Sequence, residues 1–202
     1  MWEDVLATLD NLGIEQAALV GVSAGGGVGL RLAAVAPGPV SALCLVSARP
    51  YSDAPPSREL QSALDAEVGP VEAGDLDGAV AGVLGHWLMP GAPATLRDRV
   101  AAMERRSLEI QLAAGDPPDA PDPLAQRPDA LEAVTVPTLV CVSEHDLPDF
   151  HAAAAELARR MRLTGNEHLS GTPGAQRSSS SALVGLVPSL PMPPSDLEHR
   201  SA

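Results

Sequence analysis

The feature that most constrains this chain is a Gly-x-Ser-x-Gly segment, Gly21-Val22-Ser23-Ala24-Gly25, between two patterned stretches. Residues 17–22 form a short, continuously apolar run, which is typical of a strand buried on both faces of a parallel sheet. Residues 24–36 follow with helical character and stop at a Pro-Gly-Pro sequence. The segment is therefore predicted to be a sharp turn from a buried strand into a helix.

A serine at such a turn is predicted to be a nucleophile, because the strained backbone exposes its hydroxyl above the sheet edge. We expect glycine at positions 21 and 25 because side chains there would clash in the tight turn. The Ala24 N–H, at the positive end of the helix, is the predicted oxyanion donor. The alternatives are a purely structural glycine turn and a phosphate-binding turn.

A dinucleotide-binding turn needs Gly-x-Gly-x-x-Gly and an acidic residue closing the next strand. Ser23 occupies the position of the second glycine, and the next strand ends in Ser47-Ala48-Arg49. The sequence therefore disfavours a nucleotide site, and no cofactor is predicted.

The rest of the chain follows an α/β rhythm, in which helices alternate with apolar strands. Helical patterns at 2–12 and 148–162 and strands at 42–46 and 136–142 predict a parallel sheet with flanking helices. Between the strands, 58–68, 75–89 and 95–114 are predicted helices, and five prolines predict a loop at 116–128.

These patterns divide the chain into four predicted parts. Residues 1–48 and 134–170 form the α/β core, and 49–133 form a helical insertion. Residues 171–202 are rich in Ser and Pro and are predicted to be disordered.

In order and spacing, the chain resembles the α/β-hydrolase superfamily, in particular its capped, esterase- or lactonase-like serine hydrolases. The resemblance rests on Gly21-Val22-Ser23-Ala24-Gly25-Gly26, the strand ending in Val46-Ser47-Ala48, the insertion, and Val136-Pro137-Thr138-Leu139-Val140 followed by Ser143-Glu144-His145-Asp146. It implies a partial α/β-hydrolase fold with a helical cap. It also implies hydrolysis of a carboxylic ester or lactone of a small apolar molecule, through an acyl-enzyme on Ser23.

By that resemblance Asp146 is the acid of a Ser–acid–His triad. Its position on a loop after a parallel strand agrees with where such sheets place site residues. Glu144 and Asp149 are competing acids, and Asp149 could instead stabilise a helix start.

The general base does not have its usual position. In the family it lies in a Gly-x-x-His turn after the last strand, and Gly174 stands at the matching position here. His168 lies six residues earlier and is a weak candidate for a displaced base. The remaining histidines, His86, His145, His151 and His199, are interpreted as solvated or capping side chains. We therefore expect impaired activity, and the alternative function is a non-catalytic fragment or pseudoenzyme that acts as a binding module.

The strands and the oxyanion loop that precede the elbow in the family have no counterpart here. We interpret the start at Met1 as misplaced and the change near residue 171 as a shifted reading frame, with a natural C-terminal extension as the rival interpretation. The strand at 17–22 would then be an open edge, which permits self-association.

The insertion supplies Trp87 and Met89 as candidate pocket residues, although packing within the cap explains them equally well.

A cofactor-free haloperoxidase-like activity would use the same triad. A haloalkane dehalogenase is disfavoured because that chemistry needs Asp where Ser23 stands.

Composition excludes several functional classes of protein. The net charge of −13 argues against nucleic-acid binding, which requires clustered positive charge. No apolar stretch approaches the roughly 18 residues of a membrane span. Cys44 and Cys141 are far apart in apolar runs, so neither a disulfide framework nor a metal site is predicted. A cytoplasmic protein is expected.

Overall fold

The computed structural model describes residues 1–50, 54–115 and 121–161, and these residues form an α/β structure. In chain order the elements are α1 (Trp2–Asn11), β1 (Ala17–Val22), α2 (Ala24–Val35), β2 (Val40–Val46), α3 (Arg58–Glu72), α4 (Leu76–Trp87), α5 (Ala94–Ala114), α6 (Pro123–Gln126), a short 3-10 helix (Pro128–Leu131), β3 (Thr138–Cys141) and α7 (Pro148–Arg160). The predicted α/β class and the predicted strands are confirmed. The predicted tail, 171–202, and His168 lie outside the described residues.

The described strands form one parallel sheet in the order β1-β2-β3. Val22 pairs with Val46, and Val46 pairs with Cys141, so the carboxyl ends of all three strands reach the same edge. Parallel strands place the residues that follow them side by side, and this edge carries the candidate site.

The core lies where α2 and α7 pack against the sheet. Six leucines there are fully buried: Leu30, Leu32, Leu45, Leu124, Leu131 and Leu157. Burial of a leucine side chain contributes about 1.5–3 kcal/mol to stability. Three of the six, Leu30, Leu32 and Leu45, lie on α2 and β2, so this helix and this strand form the centre of the core.

The stretch 54–115 is helical and contains no strand, as predicted. Helices α3 and α4 pack against each other and are joined by a turn of three residues, 73–75. The Ser57 and Asp75 side chains cap their N-termini by accepting hydrogen bonds from Leu60 N–H and Gly78 N–H. Ala79, Val80 and Leu108 form a small core between α4 and α5, separate from the sheet core.

The prediction of an unbroken loop at 116–128 is wrong at 123–126, which form α6. The Asp122 carboxylate accepts a hydrogen bond from Leu124 N–H, and Pro123 occupies the first turn, where proline costs no hydrogen bond. Leu124 is buried in the sheet core, and Arg31 of α2 holds the Asp122 carboxylate. Tertiary packing therefore makes this short helix despite its prolines.

Strand β1 has one free edge within the described part of the chain, because it pairs only with β2. Val20 and Val22 on this strand are 66% and 62% exposed. The open apolar edge predicted from the sequence is present in the described structure. None of the helices in the described ranges has the length and hydropathy needed to cross a membrane.

Candidate functional site

Ser23 lies directly between β1 and α2 and has a strained backbone. Its φ of 50° and ψ of −120° fall in a region that residues other than glycine rarely adopt. Such conformations cost about 1–3 kcal/mol and persist where surrounding structure enforces them. The residue is exposed, so its hydroxyl is accessible at the carboxyl edge of the sheet.

Two glycines allow the chain to turn here, and one of them differs from the prediction. A Cβ atom on Gly21 would lie 2.5 Å from Gly25 O and from the Gly26 backbone, and one on Gly26 would lie 2.6 Å from Ala48 Cβ. A Cβ on Gly25 would meet no atom within 4 Å. The expectation that a side chain at Gly25 would clash is therefore wrong, because Gly25 faces open space and Gly26 is the residue that packs against the sheet.

Ala24 is the first residue of α2, so its N–H has no acceptor within the helix. The first helical hydrogen bond here runs from Gly27 N–H to Ser23 O, at 3.1 Å. The Ala24 N–H can thus donate a hydrogen bond to an anion beside Ser23, where the helix dipole also favours negative charge.

Ser47 is a second strained serine, and the sequence reasoning missed it. It follows β2 directly, as Ser23 follows β1, and its φ is 47°. Its hydroxyl donates a hydrogen bond to Asp146 Oδ2, while Leu147 N–H donates to Asp146 Oδ1 at 3.0 Å. The available signal was positional: both serines come immediately after neighbouring parallel strands.

Backbone hydrogen bonds align these residues across the sheet. Ser23 N–H donates to Val46 O at 2.9 Å, and Ser47 N–H donates to Cys141 O at 2.8 Å. Ser23 and the strand that leads to Asp146 are thus separated by β2, a distance of two strand spacings or about 10 Å. The structure brings the predicted nucleophile and the predicted acid to the same sheet edge, with Ser47 between them.

The competing acids have other surroundings. Glu144 is exposed. Asp149 Oδ1 accepts a hydrogen bond from Ser57 N–H at 3.0 Å and lies 4.0 Å from an Arg49 nitrogen. Burial raises the pKa of Asp149, but hydrogen bonding from Ser57 and the charge of Arg49 outweigh it and hold the pKa below its ordinary value.

The structure supplies no base for Ser23 within the described residues. His145 is exposed, His151 is half-buried, and neither hydrogen-bonds to Ser23 or Asp146. His86 Nδ1 lies 3.0 Å from Gly82 O on α4. The displaced candidate His168 and the distant His199 are outside the described ranges.

Of the two predicted pocket residues, Trp87 packs against the buried Phe150, and Met89 is largely exposed. The Trp87 ring meets Phe150 of α7 edge to face, with the ring centroids 6.3 Å apart and the planes at 69°. Met89 lies just beyond the end of α4 and is largely exposed. The contact places the end of α4 beside the acid-bearing loop.

The cysteines lie on neighbouring strands of the sheet, and neither is an activated thiol. Burial, followed by the neighbouring Cys44, raises the pKa of Cys141 to about 11, and burial also raises the pKa of Cys44. Both therefore remain protonated at neutral pH. In the described ranges no three His, Cys, Asp or Glu side chains group as metal ligands would.

Comparison with known proteins supports the same fold. Residues 1–81 match the family model described as alpha/beta hydrolase fold. A comparison with curated protein sequences gives no match.

Similar solved structures include a hydrolase from Pseudomonas aeruginosa PA01, with 28% identity, a TM-score of 0.57, and coverage of 79% of this chain and 58% of that one. The enol-lactonase from Burkholderia xenovorans LB400 has 26% identity and a TM-score of 0.52, over 79% of this chain and 59% of its own. An alpha/beta hydrolase from Sphaerobacter thermophilus DSM 20745 shares the fold at 20% identity and a TM-score of 0.55, over 90% of this chain and 69% of its own.

This chain thus spans less than two thirds of the length of the Pseudomonas and Burkholderia proteins. The range that matches the family model, residues 1–81, contains the serine turn, β1, β2 and the helices α1, α2 and α3. Together with the geometry at Ser23, these matches show that residues 1–81 resemble the alpha/beta hydrolase fold family and that the chain shares the fold of the solved hydrolases over part of their length.

Proposed function

We propose that this chain carries the nucleophile and acid of a serine hydrolase that acts on a carboxylic ester or lactone of a small apolar molecule. The observation that carries the proposal is the strained, exposed Ser23 at the start of α2. Similarity to an enol-lactonase supports a lactone as the substrate.

In the proposed reaction, Ser23 Oγ attacks the carbonyl carbon, and its proton passes to a base. The Ala24 N–H stabilises the oxyanion of the tetrahedral intermediate. Collapse expels the alcohol, which takes up the proton and, in a lactone, remains attached as the ring-opened hydroxyl. Water then hydrolyses the ester on Ser23 and releases the acid.

Asp146 is the proposed acid that orients the base. Its two oxygens are held by Ser47 and by Leu147 N–H, so its carboxylate has a fixed orientation at the sheet edge. At the position where the resemblance expects the histidine that acts as general base, this chain has Gly174. His168, six residues earlier, is the candidate for a displaced base. Loss of the base in a triad enzyme costs several orders of magnitude in rate, so we expect slow turnover.

The test is covalent labelling of the purified chain with a fluorophosphonate probe, followed by peptide mass spectrometry. We expect a single modified serine, Ser23, and complete loss of the label in Ser23→Ala. Ser41→Ala is the matched control, because Ser41 is also exposed but lies at the opposite end of β2. No label on Ser23 at probe concentrations that label an active serine hydrolase would contradict the proposal.

The second candidate is a non-catalytic binding module, and the free edge of β1 favours it. The exposed Val20 and Val22 lie on an edge whose backbone groups have no strand partner in the described residues. An edge of this kind pairs with another strand, and a second copy of this chain supplies an identical one.

Analytical ultracentrifugation tests this candidate. We expect the wild-type chain to self-associate and Val20→Lys to shift it to the monomer. Leu112→Lys, which alters an exposed leucine on α5, should leave the association unchanged. A wild-type chain that sediments as a monomer at high micromolar concentration would exclude pairing through β1.

A cytoplasmic location is also proposed. It is supported by two free thiols, Cys44 and Cys141, in one sheet, since such thiols persist in reducing compartments.

A further inference from the structure

The N-terminal turn of α7 contains a nearly buried carboxylate that the proposed reaction does not use. The Asp149 side chain is only 8% exposed. A buried charge is costly unless it is paired and hydrogen-bonded. Asp149 Oδ1 accepts a 3.0 Å hydrogen bond from Ser57 N–H, and Arg49 lies at the outer limit of an ion pair, 4.0 Å away. The surroundings of Asp149 therefore commit one of its oxygens to Ser57.

Ser57 is the residue from which the helical insertion begins. Its side chain caps α3 by accepting the hydrogen bond from Leu60 N–H, and its carbonyl accepts from Gln61 N–H. The Ser57 N–H itself precedes the helix and has no acceptor within it. Asp149 therefore satisfies the Ser57 N–H, which α3 leaves free, and in doing so joins α3 to α7.

The residue after Asp149 makes a second contact with the insertion. Phe150 packs against Trp87 at the end of α4. Helices α3 and α4 are joined by a turn of three residues and pack together, so the start of α3 and the end of α4 lie at the same, open end of a helical hairpin. The first turn of α7 thus contacts both sides of that open end.

The same turn is continuous with the loop that holds Asp146. Asp146 is fixed by Ser47 and by Leu147 N–H, and Asp149 follows three residues later. Two anchored carboxylates thus lie three residues apart, Asp146 held by Ser47 and Asp149 bonded to the start of α3.

We propose that Asp149 is a positioning residue that anchors the α3–α4 hairpin to the acid-bearing loop. Through it, the helical insertion is fixed at the sheet edge that carries Ser23 and Asp146. Phe150 and Trp87 supply the apolar part of the same attachment. The proposal concerns how the insertion is held and does not require Ser23 to be catalytic.

A pair of substitutions at Ser57 isolates the hydrogen bond. Ser57→Ala removes the hydroxyl and its capping bond but keeps the N–H. Ser57→Pro removes the hydroxyl and the N–H, and proline suits this position because φ of Ser57 is −59°. The two variants differ in the N–H that donates to Asp149 and in the proline ring that replaces it, so the Asp149 variants below are needed to assign the effect to the bond.

Hydrogen exchange measured by mass spectrometry reads out the attachment. In Ser57→Pro we expect the amides of α3 and α4 to exchange about tenfold faster than in Ser57→Ala. The reason is that only the proline variant loses a hydrogen bond to a charged carboxylate. The amides of α2 and the sheet should exchange at equal rates in both variants. Equal exchange of α3 and α4 in the two variants would overturn the proposal.

Substitution of Asp149 completes the test. Asp149→Ala should accelerate exchange in α3 and α4, and adding Ser57→Pro should produce little further change because both remove one interaction. Asp149→Asn keeps an acceptor oxygen and should restore most of the protection. If Asp149→Ala does not fold, Asp149→Val, which also removes both oxygens but fills more of the space, takes its place in the comparison. Fully additive effects, or no rescue by asparagine, would show that Asp149 acts only through general stability.

Discussion

The sheet core and the helical insertion differ in how each is held together. The core buries leucines completely between β2, α2 and α7, whereas the long helix α5 buries only Leu108 and exposes Met103, Ile110 and Leu112. The core is thus specified by its own packing. The insertion has only a small core of its own. Its position therefore depends on the contacts that α7 makes with the open end of the α3–α4 hairpin.

The largest expected effect tests this contrast directly. Leu45→Ala removes a fully buried side chain from the central strand and should lower the free energy of unfolding by about 2–5 kcal/mol. Leu112→Ala, the same change at an exposed position on α5, should stay within about 0.5 kcal/mol. Urea unfolding followed by circular dichroism measures both. Similar losses in the two variants would contradict the contrast.

A second prediction sharpens the picture of the serine turn. Gly21→Ala places a Cβ 2.5 Å from backbone atoms and should destabilise the chain by about 2 kcal/mol or more. Gly25→Ala meets open space and should be neutral, or stabilising by up to about 1 kcal/mol, because alanine favours the helix. Denaturant titration decides the matter, and a Gly25 variant as unstable as the Gly21 variant would show that both glycines are required.

A smaller effect is expected for the ion pair between Arg31 of α2 and Asp122. Both side chains are 22% exposed, and Asp122→Asn should cost about 1–2 kcal/mol at neutral pH. In the insertion, Asp77→Asn removes the exposed ion pair between Asp77 and Arg105. This change should lower the free energy of unfolding by about 1 kcal/mol or less.

The Asp122 effect should also depend on pH. Burial raises the pKa of Asp122, but hydrogen bonds from Arg31 and Leu124 N–H outweigh it and lower the pKa. A carboxyl whose pKa is lower in the folded state stabilises the fold above its unfolded pKa, about 3.9, and loses that contribution as the pH falls through the folded value. The difference between wild type and Asp122→Asn, measured by urea unfolding, should therefore be full at pH 7 and shrink below about pH 4. A difference that stays constant down to pH 2 would be inconsistent with this account.

Much of the described fold was predictable because its signals are local. The apolar run before Ser23 gave β1 with its observed bounds, and the helical spacing around α2 and α7 gave their positions within two residues. Helix α6 escaped prediction because its prolines resemble a loop, and only the packing of Leu124 and the contact of Asp122 with Arg31 make it a helix.

The residues of the candidate site also fall into those that a local pattern identifies and those that depend on distant contacts. Ser23 and Ala24 are placed by their own neighbours in the chain, so a sequence pattern is enough to find them. Ser47 was not found, because its importance comes from Asp146, 99 residues further along the chain. Asp149 was considered only as an acid or a helix-dipole partner, and its contact with Ser57 spans 92 residues.

The sequence by itself determined the order of strands and helices and the strained serine turn, since both follow from the spacing of apolar residues and glycines within a few turns of chain. Only the tertiary structure decided that Gly26, and not Gly25, must lack a side chain, that Ser47 holds Asp146, and that Asp149 holds the insertion. These relations depend on the parallel register of three strands, which brings distant residues to one edge of the sheet. No local pattern encodes that register, because it is set by how the strands pair and by what packs on their faces.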